Sequence, residues 1–402
     1  MASAKRTVSS PESPADRTAL LRSWALEEGF DRAAAAAIEP SDQIGAFRDW
    51  LKRGDHAAMA WIGRRIERRE DPRNILPDAR SALCVALQYW PLDGETEATG
   101  DLWPGVARYA RGRDYHDIMG KALKRLCRRI EEAFPGAVTR PYVDTGPVLE
   151  RELAARSGLG VQGKNTNLLD RTWGSYFLLG EIFLTLELEP GEPVADICGR
   201  CTRCLDHCPT GALPEPYRLD SRRCISYWTI EHRGDLPAEV REDLGEWVFG
   251  CDVCQEVCPW NYKAGPGSHP QLRQPSERRE LDLAGLLALD REEYVRCFVK
   301  SPMKRPKLEG LQRNAAVAMG NRRDPRYVPP LVEALAAEEP VVRRHAAWAL
   351  GQIGGNRAQR GLEGRLEVES DEATQREIRA ALRRVTSHPA YSGEAQHGAE
   401  SA

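Results

Sequence analysis

Eight of the eleven cysteines fall between residues 198 and 258, and their spacing is the strongest chemical signal in the chain. The first run reads Cys198-x2-Cys201-x2-Cys204-x3-Cys208-Pro209, the second reads Cys251-x2-Cys254-x3-Cys258-Pro259, and Cys224 stands alone between them. Thiolates three residues apart on a tight loop face one cubane, and four of them hold a [4Fe–4S] cluster. In the bacterial two-cluster arrangement the cysteine before the proline ligates the other cluster. Cys198, Cys201, Cys204 and Cys258 are therefore expected on the first cluster, and Cys208, Cys251 and Cys254 on the second. A regular second run would place its remaining cysteine at position 248, where Val248 stands, so Cys224 is the expected fourth ligand. Zinc favours two C-x2-C pairs across a spacer rather than this triple rhythm, and disulfides would imply export, for which the N-terminus offers no signal.

A second candidate is a lone carboxylate. Asp144 lies in Pro141-Tyr-Val-Asp-Thr-Gly-Pro-Val-Leu-Glu150, between a short extended segment and a Thr-Gly-Pro turn. By position alone an aspartate there makes an Asx-turn or a helix cap. Its functional reading is a carboxyl acid at a strand end, with a pKa that a closed pocket would raise. Gly158-Leu-Gly-Val-Gln-Gly163-Lys-Asn165 matches G-x-G-x-x-G, but a helix rather than a strand precedes it, which excludes a dinucleotide fingerprint. These glycines are expected to let backbone approach another flat or bulky ligand, with Lys164 and Asn165 as polar contacts.

The elements that must position these residues are legible in outline. At 402 residues, 41% of them apolar and 29% charged, with a formal charge of -3, the chain has room for two or three domains. The balance excludes no class of partner. There is no signal peptide and no apolar run of membrane-spanning length, so a cytoplasmic protein with no membrane partner is expected. Residues 1–16 read as a disordered tail. Residues 18–29 and 44–69 read as helices, the second ending in Arg64, Arg65, Arg68 and Arg69. A buried strand is expected at 82–89, a basic and aromatic loop at 108–117, an amphipathic helix at 117–133 and a buried strand within 175–188. Cys84, Cys127 and Cys297 stand alone and are expected to pack in the core.

The whole is expected to be α+β: a catalytic domain over 17–195, a ferredoxin-like domain over 196–262, a linker over 263–300, all-α repeats over 301–385 and a disordered tail over 386–402. The repeat is explicit, since Arg313-Asn-Ala-Ala-Val-Ala-Met-Gly320 recurs as Arg344-His-Ala-Ala-Trp-Ala-Leu-Gly351, with a weaker echo over Arg376 to Leu382. Helix pairs at this period stack as a short HEAT-like solenoid. Residues 296–326 hold nine Lys or Arg against Glu309 and Asp324, a stretch that reads either as a phosphate-contacting surface or as a balanced solvated face.

In that order, these motifs resemble the epoxyqueuosine reductases of tRNA queuosine synthesis. The resemblance is carried by Ala79 to Tyr89, Gly112-Arg-Asp-Tyr-His116, Val143-Asp-Thr-Gly146, Gly163-Lys-Asn165, both cysteine runs with Arg223-Cys-Ile-Ser226, and the C-terminal repeats. It covers about residues 17–385. It implies a two-electron reduction of the epoxide of epoxyqueuosine in tRNA to the alkene of queuosine, with cobalamin and two [4Fe–4S] clusters as cofactors. It makes Asp144 the proton donor, over the Asx-turn reading, and Arg69, Arg108, Asp144, Asn165 and Ser226 cobalamin contacts. It also implies that the repeats bind tRNA with a GUN anticodon, that an unidentified low-potential donor supplies electrons, and that the chain is a monomer. Asp114-x-His116 begins like a cobalt-ligating D-x-H-x-x-G motif, but Met119 occupies the glycine position and the family holds cobalamin without histidine. The alternatives are a small-molecule reductive dehalogenase with the same cofactors, which would need no nucleic-acid module, and a plain electron-transfer module, which would need no acid motif.

Overall fold

The computed structural model describes residues 13–90, 100–267, 269–275, 278 and 280–387. In chain order its regular elements begin with α1 (Pro14–Glu27), β1 (Arg32–Ala37), α2 (Ile44–Lys52), α3 (Ile66–Glu70), β2 (Ser81–Gln88), α4 (Tyr115–Ala133), β3 (Thr139–Tyr142) and α5 (Glu150–Arg156). There follow β4 (Val161–Gln162), β5 (Leu168–Leu169), β6 (Phe177–Leu184), α6 (Arg203–Asp206), α7 (Ala238–Arg241) and α8 (Val253–Glu256). The C-terminal part is helical: α9 (Leu283–Ala288), α10 (Arg291–Phe298), α11 (Lys307–Arg322), α12 (Val328–Ala334), α13 (Pro340–Ile353), α14 (Asn356–Val368) and α15 (Glu372–Ser387).

The sequence SALCVALQ is apolar on both faces, which suits a strand covered on both sides, and every residue of β2 is buried. It lies inside an antiparallel sheet of order β1-β2-β6-β3. Alternate residues point to opposite faces. Leu83, Val85, Leu87, Ile182 and Leu184 meet α1 and α4 on one side, while Ala82, Cys84, Ala86, Phe177 and Phe183 meet α5 on the other. Helix α4 presents Ile118, Met119, Ala122, Leu123, Leu126, Cys127 and Ile130 to the first face. Each fully buried Leu or Ile contributes about 1.5–3 kcal/mol. Cys84 and Cys127 are buried in these layers and Cys297 is half-buried against the C-terminal core, as lone thiols were expected to be.

Several sequence expectations need correction. The single helix expected over 44–69 is α2, a 3₁₀ turn at 60–63 and α3, because Gly54, at φ +70°, turns the chain out of the first helix. The tail expected over 1–16 ends earlier, since Ser13 caps α1, its side chain accepting the Asp16 N–H. Residues 1–12 and 388–402 lie outside the described residues. The stretch 263–300, expected as a linker, carries α9 and α10, whose Leu283, Leu286, Leu287 and Phe298 are buried against the repeats.

The three repeat motifs fall on α11, α13 and α15, which pack side by side. The glycine that ends the motif marks the helix crossing: a Cβ on Gly320 would lie 2.9 Å from the Ala349 Cα, and one on Gly351 2.8 Å from the Ala381 Cα. Helix α11 is also welded to the cysteine region. Buried Arg313 donates to the carbonyls of Trp228, His232 and Gly234, and Asn314 donates to those of Thr229 and Val248. One core runs from Trp103 and Val106 through Ile225, Val248 and Phe249 into the repeats. No helix among the described residues is long and apolar enough to cross a membrane.

Candidate functional site

The fold gathers the cysteines into two quartets. Cys198, Cys201, Cys204 and Cys258 line one small pocket with Lys164 and Trp260. Cys208, Cys224, Cys251 and Cys254 line the floor of a larger crevice of about 350 Å³. The quartets are neighbours, since Cys204 contributes to the field at Cys254. Val248 points into the core, fully buried, and its N–H donates to the Gly105 carbonyl at 2.7 Å. Cys224 reaches the second quartet from the turn before a π-helical segment at 227–231.

Short polar contacts hold the cysteine loops in place. Lys164 Nζ donates to the carbonyls of Gly199 (2.7 Å) and Cys201 (3.0 Å), and Asn165 Nδ2 to that of Cys254 (3.2 Å). The Ala212 N–H points at Cys208 Sγ from 3.2 Å. The glycine segment therefore clamps both quartets. Its glycines serve backbone packing rather than the ligand approach expected of them: a Cβ on Gly160 would sit 2.5 Å from the Leu169 carbonyl oxygen, and one on Gly158 2.5 Å from that of Glu192.

Among the described residues no three His, Cys, Asp or Glu side chains are drawn closely enough to share one metal ion. Tetrahedral zinc at 2.3 Å would need its thiolates about 3.8 Å apart. Each quartet offers the four thiolates that one [4Fe–4S] cluster takes, one per iron. Burial pushes the free Cys204 thiol up to about 11, so the positive charge of iron is what would make it a thiolate.

Asp144 opens onto the same crevice from the turn after β3. Its backbone is left-handed, φ +55°, a conformation that non-glycine residues rarely adopt outside constrained sites. Its side chain is 53% exposed at the crevice mouth. His116, at the start of α4, bridges two carboxylates: Nε2–H donates to Asp144 Oδ2 at 3.2 Å and Nδ1–H to Asp114 Oδ1 at 2.8 Å. Lys304 Nζ completes the line, 3.1 Å from Asp114 Oδ2. Burial opposes charge on His116, yet the two carboxylates outweigh it and raise its pKa to about 9. Burial likewise opposes ionisation of Asp144, but His116, Tyr115 and Arg151 hold it below the usual carboxylate range.

Two further acids stand behind Asp144. Glu150, the first residue of α5, lines the same crevice. Burial, reinforced by the Asp144 charge, raises it to about 7. Glu181 on β6 is 2% exposed, and burial next to Glu150 and Asp144 drives its pKa well up. Sequence reading missed His116, Tyr115, Glu150 and Glu181 as parts of this site. Glu181 had a signal, an acid inside a buried apolar strand, and Tyr115 and His116 stood in the Gly112-Arg-Asp-Tyr-His116 motif; Glu150 had none without the fold.

Of the five expected cobalamin contacts, Asp144, Asn165 and Ser226 line the crevice. Arg69 does not. It donates to the Arg64 carbonyl and borders a separate cleft beside α5. Arg108 is also outside, its guanidinium engaged by Asp252 and Glu256. The basic stretch over 296–326 is largely balanced within the fold: Arg305 pairs with Glu231, Arg322 and Arg326 with Asp101, and Arg313 is 1% exposed. Exposed Lys300, Lys307 and Arg323 form no ion pair among the described residues.

Residues 69–145 match the family model described as epoxyqueuosine reductase QueG, residues 197–261 that of a 4Fe-4S double cluster binding domain, and residues 308–383 that of HEAT repeats. A relative named epoxyqueuosine reductase from Xanthomonas campestris pv. campestris is 41% identical over 346 residues, 85% of this chain and 97% of the relative. One of that name from Escherichia coli is 35% identical over 83% of this chain and 88% of its own length. The crystal structure of an epoxyqueuosine reductase with an epoxyqueuosine-modified tRNA-Tyr stem loop superposes with a TM-score of 0.85, at 31% identity, covering 92% of this chain and 99% of that one. The Bacillus subtilis enzyme, with its catalytic loop swung out of the active site, gives a TM-score of 0.83 at the same identity and coverage. With relatives of that name 35–41% identical over more than four fifths of its length, this chain belongs to the epoxyqueuosine reductase family.

Proposed function

We propose that this chain reduces the epoxide of epoxyqueuosine in tRNA to the alkene of queuosine, with electrons passing through two [4Fe–4S] clusters to cobalamin. The observation that carries the reading is that Asp144 and the Cys208, Cys224, Cys251 and Cys254 quartet line one crevice, in a chain of this family. Cys198, Cys201, Cys204 and Cys258 would hold the outer cluster and the other quartet the inner one.

The crevice suits a large, flat, mostly apolar group with polar edges. Leu168, Phe177 and Ile225 offer apolar sides, and Asn165, Ser175 and Ser226 offer amide and hydroxyl groups. No histidine lines it among the described residues, and both nitrogens of His116 are engaged by carboxylates, which fits cobalt held without a histidine ligand. Cobalamin, when bound, supplies a reduced cobalt able to attack carbon or pass electrons to it. The protein supplies position and protons. An alkoxide leaves poorly, so Asp144 at the crevice mouth would protonate the epoxide oxygen as its C–O bond breaks. In the free chain Asp144 is an anion, and it acquires its proton when substrate displaces the water around it and disfavours the charge.

Lys304 Nζ reaches Asp114 and the Lys300 carbonyl accepts the Asp114 N–H, so a basic rim of Lys300, Lys304 and Lys307 beside the site would hold the phosphates of the anticodon loop. A monomer in the cytoplasm, reloaded by a low-potential one-electron donor, completes the proposal. The test is direct: protein reconstituted with iron, sulfide and cobalamin, and given a chemical reductant, is incubated with epoxyqueuosine-containing tRNA, and its nucleosides are resolved by mass spectrometry. Queuosine formation dependent on both cofactors is expected; its absence rejects the assignment.

A further inference from the structure

Electrons must enter this molecule away from the crevice, because substrate and cobalamin would fill the space above the inner quartet. The outer quartet opens onto a different surface. Arg203, Pro259 and Trp260 line its pocket beside the four cysteines, and Cys201 is the exposed thiol among the eight. Asn165 is the one residue that lines both pockets, so a partner at the outer one need not contest the crevice mouth.

The surface around the outer pocket is basic. Arg200 stands between Cys198 and Cys201, Arg203 lines the pocket, the Arg171 guanidinium lies 5.8 Å from the Trp260 ring centre, and Lys263 ends the 3₁₀ turn that Pro259 begins. All four are exposed and form no ion pair among the described residues. Their acidic neighbours are Asp196, which accepts the Cys198 N–H at 2.8 Å, and Asp206, which accepts the Thr202 hydroxyl at 2.7 Å; Glu215 is paired with Arg218. Lys164 adds a further cation, so positive charge prevails here in a chain whose formal charge is -3.

Exposed rings stand among these charges. Tyr262 is 66% exposed and Tyr217 47%, and the Tyr217 N–H ties that ring beside the pocket by donating to the Lys164 carbonyl at 3.0 Å. Trp260 is held by its Nε1–H on the Ile197 carbonyl at 3.1 Å. Tyr, Trp and Arg are the side chains that protein interfaces concentrate. Such charges also suit RNA, but the centre of this face is a cluster pocket, which RNA cannot reduce, and the basic rim of Lys300, Lys304 and Lys307 lies beside the other pocket.

We propose that this face is the docking surface for a small acidic one-electron carrier protein, whose carboxylates meet Arg171, Arg200, Arg203 and Lys263 while Tyr217 and Tyr262 pack against it. This rests on the proposed reaction. Each encounter passes one electron from the carrier, which is oxidised, to the cluster that Cys198, Cys201, Cys204 and Cys258 would hold, which is reduced. Two encounters supply the electron pair that one epoxide consumes. The carrier must leave between them, which a small contact steered by charge allows.

The experiment uses the reconstituted full chain, without RNA, and an acidic plant-type [2Fe–2S] ferredoxin as the probe. Calorimetry with both proteins oxidised reads binding apart from activity, and anaerobic stopped-flow with reduced ferredoxin reads the rate of cluster bleaching. Binding is expected to saturate and to weaken as salt rises. Arg200→Glu with Lys263→Glu is expected to weaken binding and to lower the second-order rate at low salt at least about tenfold. The gap should close at high salt, and reduction by the methyl viologen radical cation should not slow. If it does slow, the substitutions have disturbed the cluster, and Arg171→Glu takes their place, an unchanged ferredoxin rate then overturning the proposal. Absence of saturable binding, or a charge-reversed chain that binds ferredoxin like the wild type, also overturns it. So does an anticodon stem loop that displaces ferredoxin and binds less well to the charge-reversed chain, since the face would then belong to RNA. Wild-type protein that leaves epoxyqueuosine in tRNA unreduced by a chemical reductant refutes the reaction itself; turnover in a chain indifferent to the charge reversals refutes only the docking face.

Discussion

His116 Nε2 donates to Asp144 Oδ2 across 3.2 Å and so ties the start of α4 to the left-handed turn after β3. The contact keeps the acid of the site charged and in place before substrate arrives. Its consequence for chemistry is that Asp144→Asn, which keeps the shape but loses the acid, should lower turnover by about 10²–10⁴-fold. Iron content and cobalamin uptake should stay as in the wild type. Unchanged queuosine formation by this variant would remove Asp144 from the mechanism.

The same bridge predicts a pH signature in stability. The folded-state pKa of His116 is raised from 6.5 to about 9 by Asp114 and Asp144, against the opposing effect of burial. A raised folded pKa contributes stability that is full below the unfolded value and lost as pH climbs through the folded one. Cofactor-free wild type should therefore exceed His116→Gln in urea stability at pH 6, with the gap closing progressively from pH 6.5 to above 9. A gap that widens with rising pH would contradict the bridge.

Cys224 is the ligand assigned with least help from spacing. Cys224→Ala should assemble one cluster where the wild type assembles two, halving iron and acid-labile sulfide per chain. Cys127→Ala, altered in the core beneath α4, should keep both. Equal iron in the two variants would exclude Cys224 as a ligand.

Asn314 joins α11 to the cysteine region through the carbonyls of Thr229 and Val248. Replacing it with alanine leaves two buried acceptors without donors, at about 1–3 kcal/mol each. Urea unfolding of Asn314→Ala should show a loss of about 2–6 kcal/mol, with cluster loading reduced in parallel. A loss below about 0.5 kcal/mol would mean that water replaces the amide.

RNA contacts should come from the bases left unpaired rather than from the whole basic stretch. Lys300→Glu with Lys307→Glu should weaken stem-loop binding and flatten its dependence on log salt by about 0.7–0.9 per lost phosphate contact. Arg313→Ala is expected to act through stability instead, because its guanidinium is spent on three backbone carbonyls. Parallel salt slopes for wild type and the lysine variant would place the RNA elsewhere.

The sequence by itself determined what depends on local spacing. Three-residue intervals between thiols put Cys198, Cys201 and Cys204 on one loop, a continuous apolar run made β2 a covered strand, and the 31-residue recurrence of Arg313 to Gly320 declared the helical repeat. It also carried family motifs enough to single out Asp144. Tertiary structure decided what depends on long-range approach. It placed Cys224 with Cys251 and Cys254 and turned Val248 into the core. It moved Arg108 off the crevice and onto Asp252, and it converted a linker into two packed helices. Above all it gathered His116, Asp144, Glu150 and Glu181 from four elements into one site. Their charge states follow from shared burial and mutual fields, and neither exists until the sheet and helices α4 and α5 have packed.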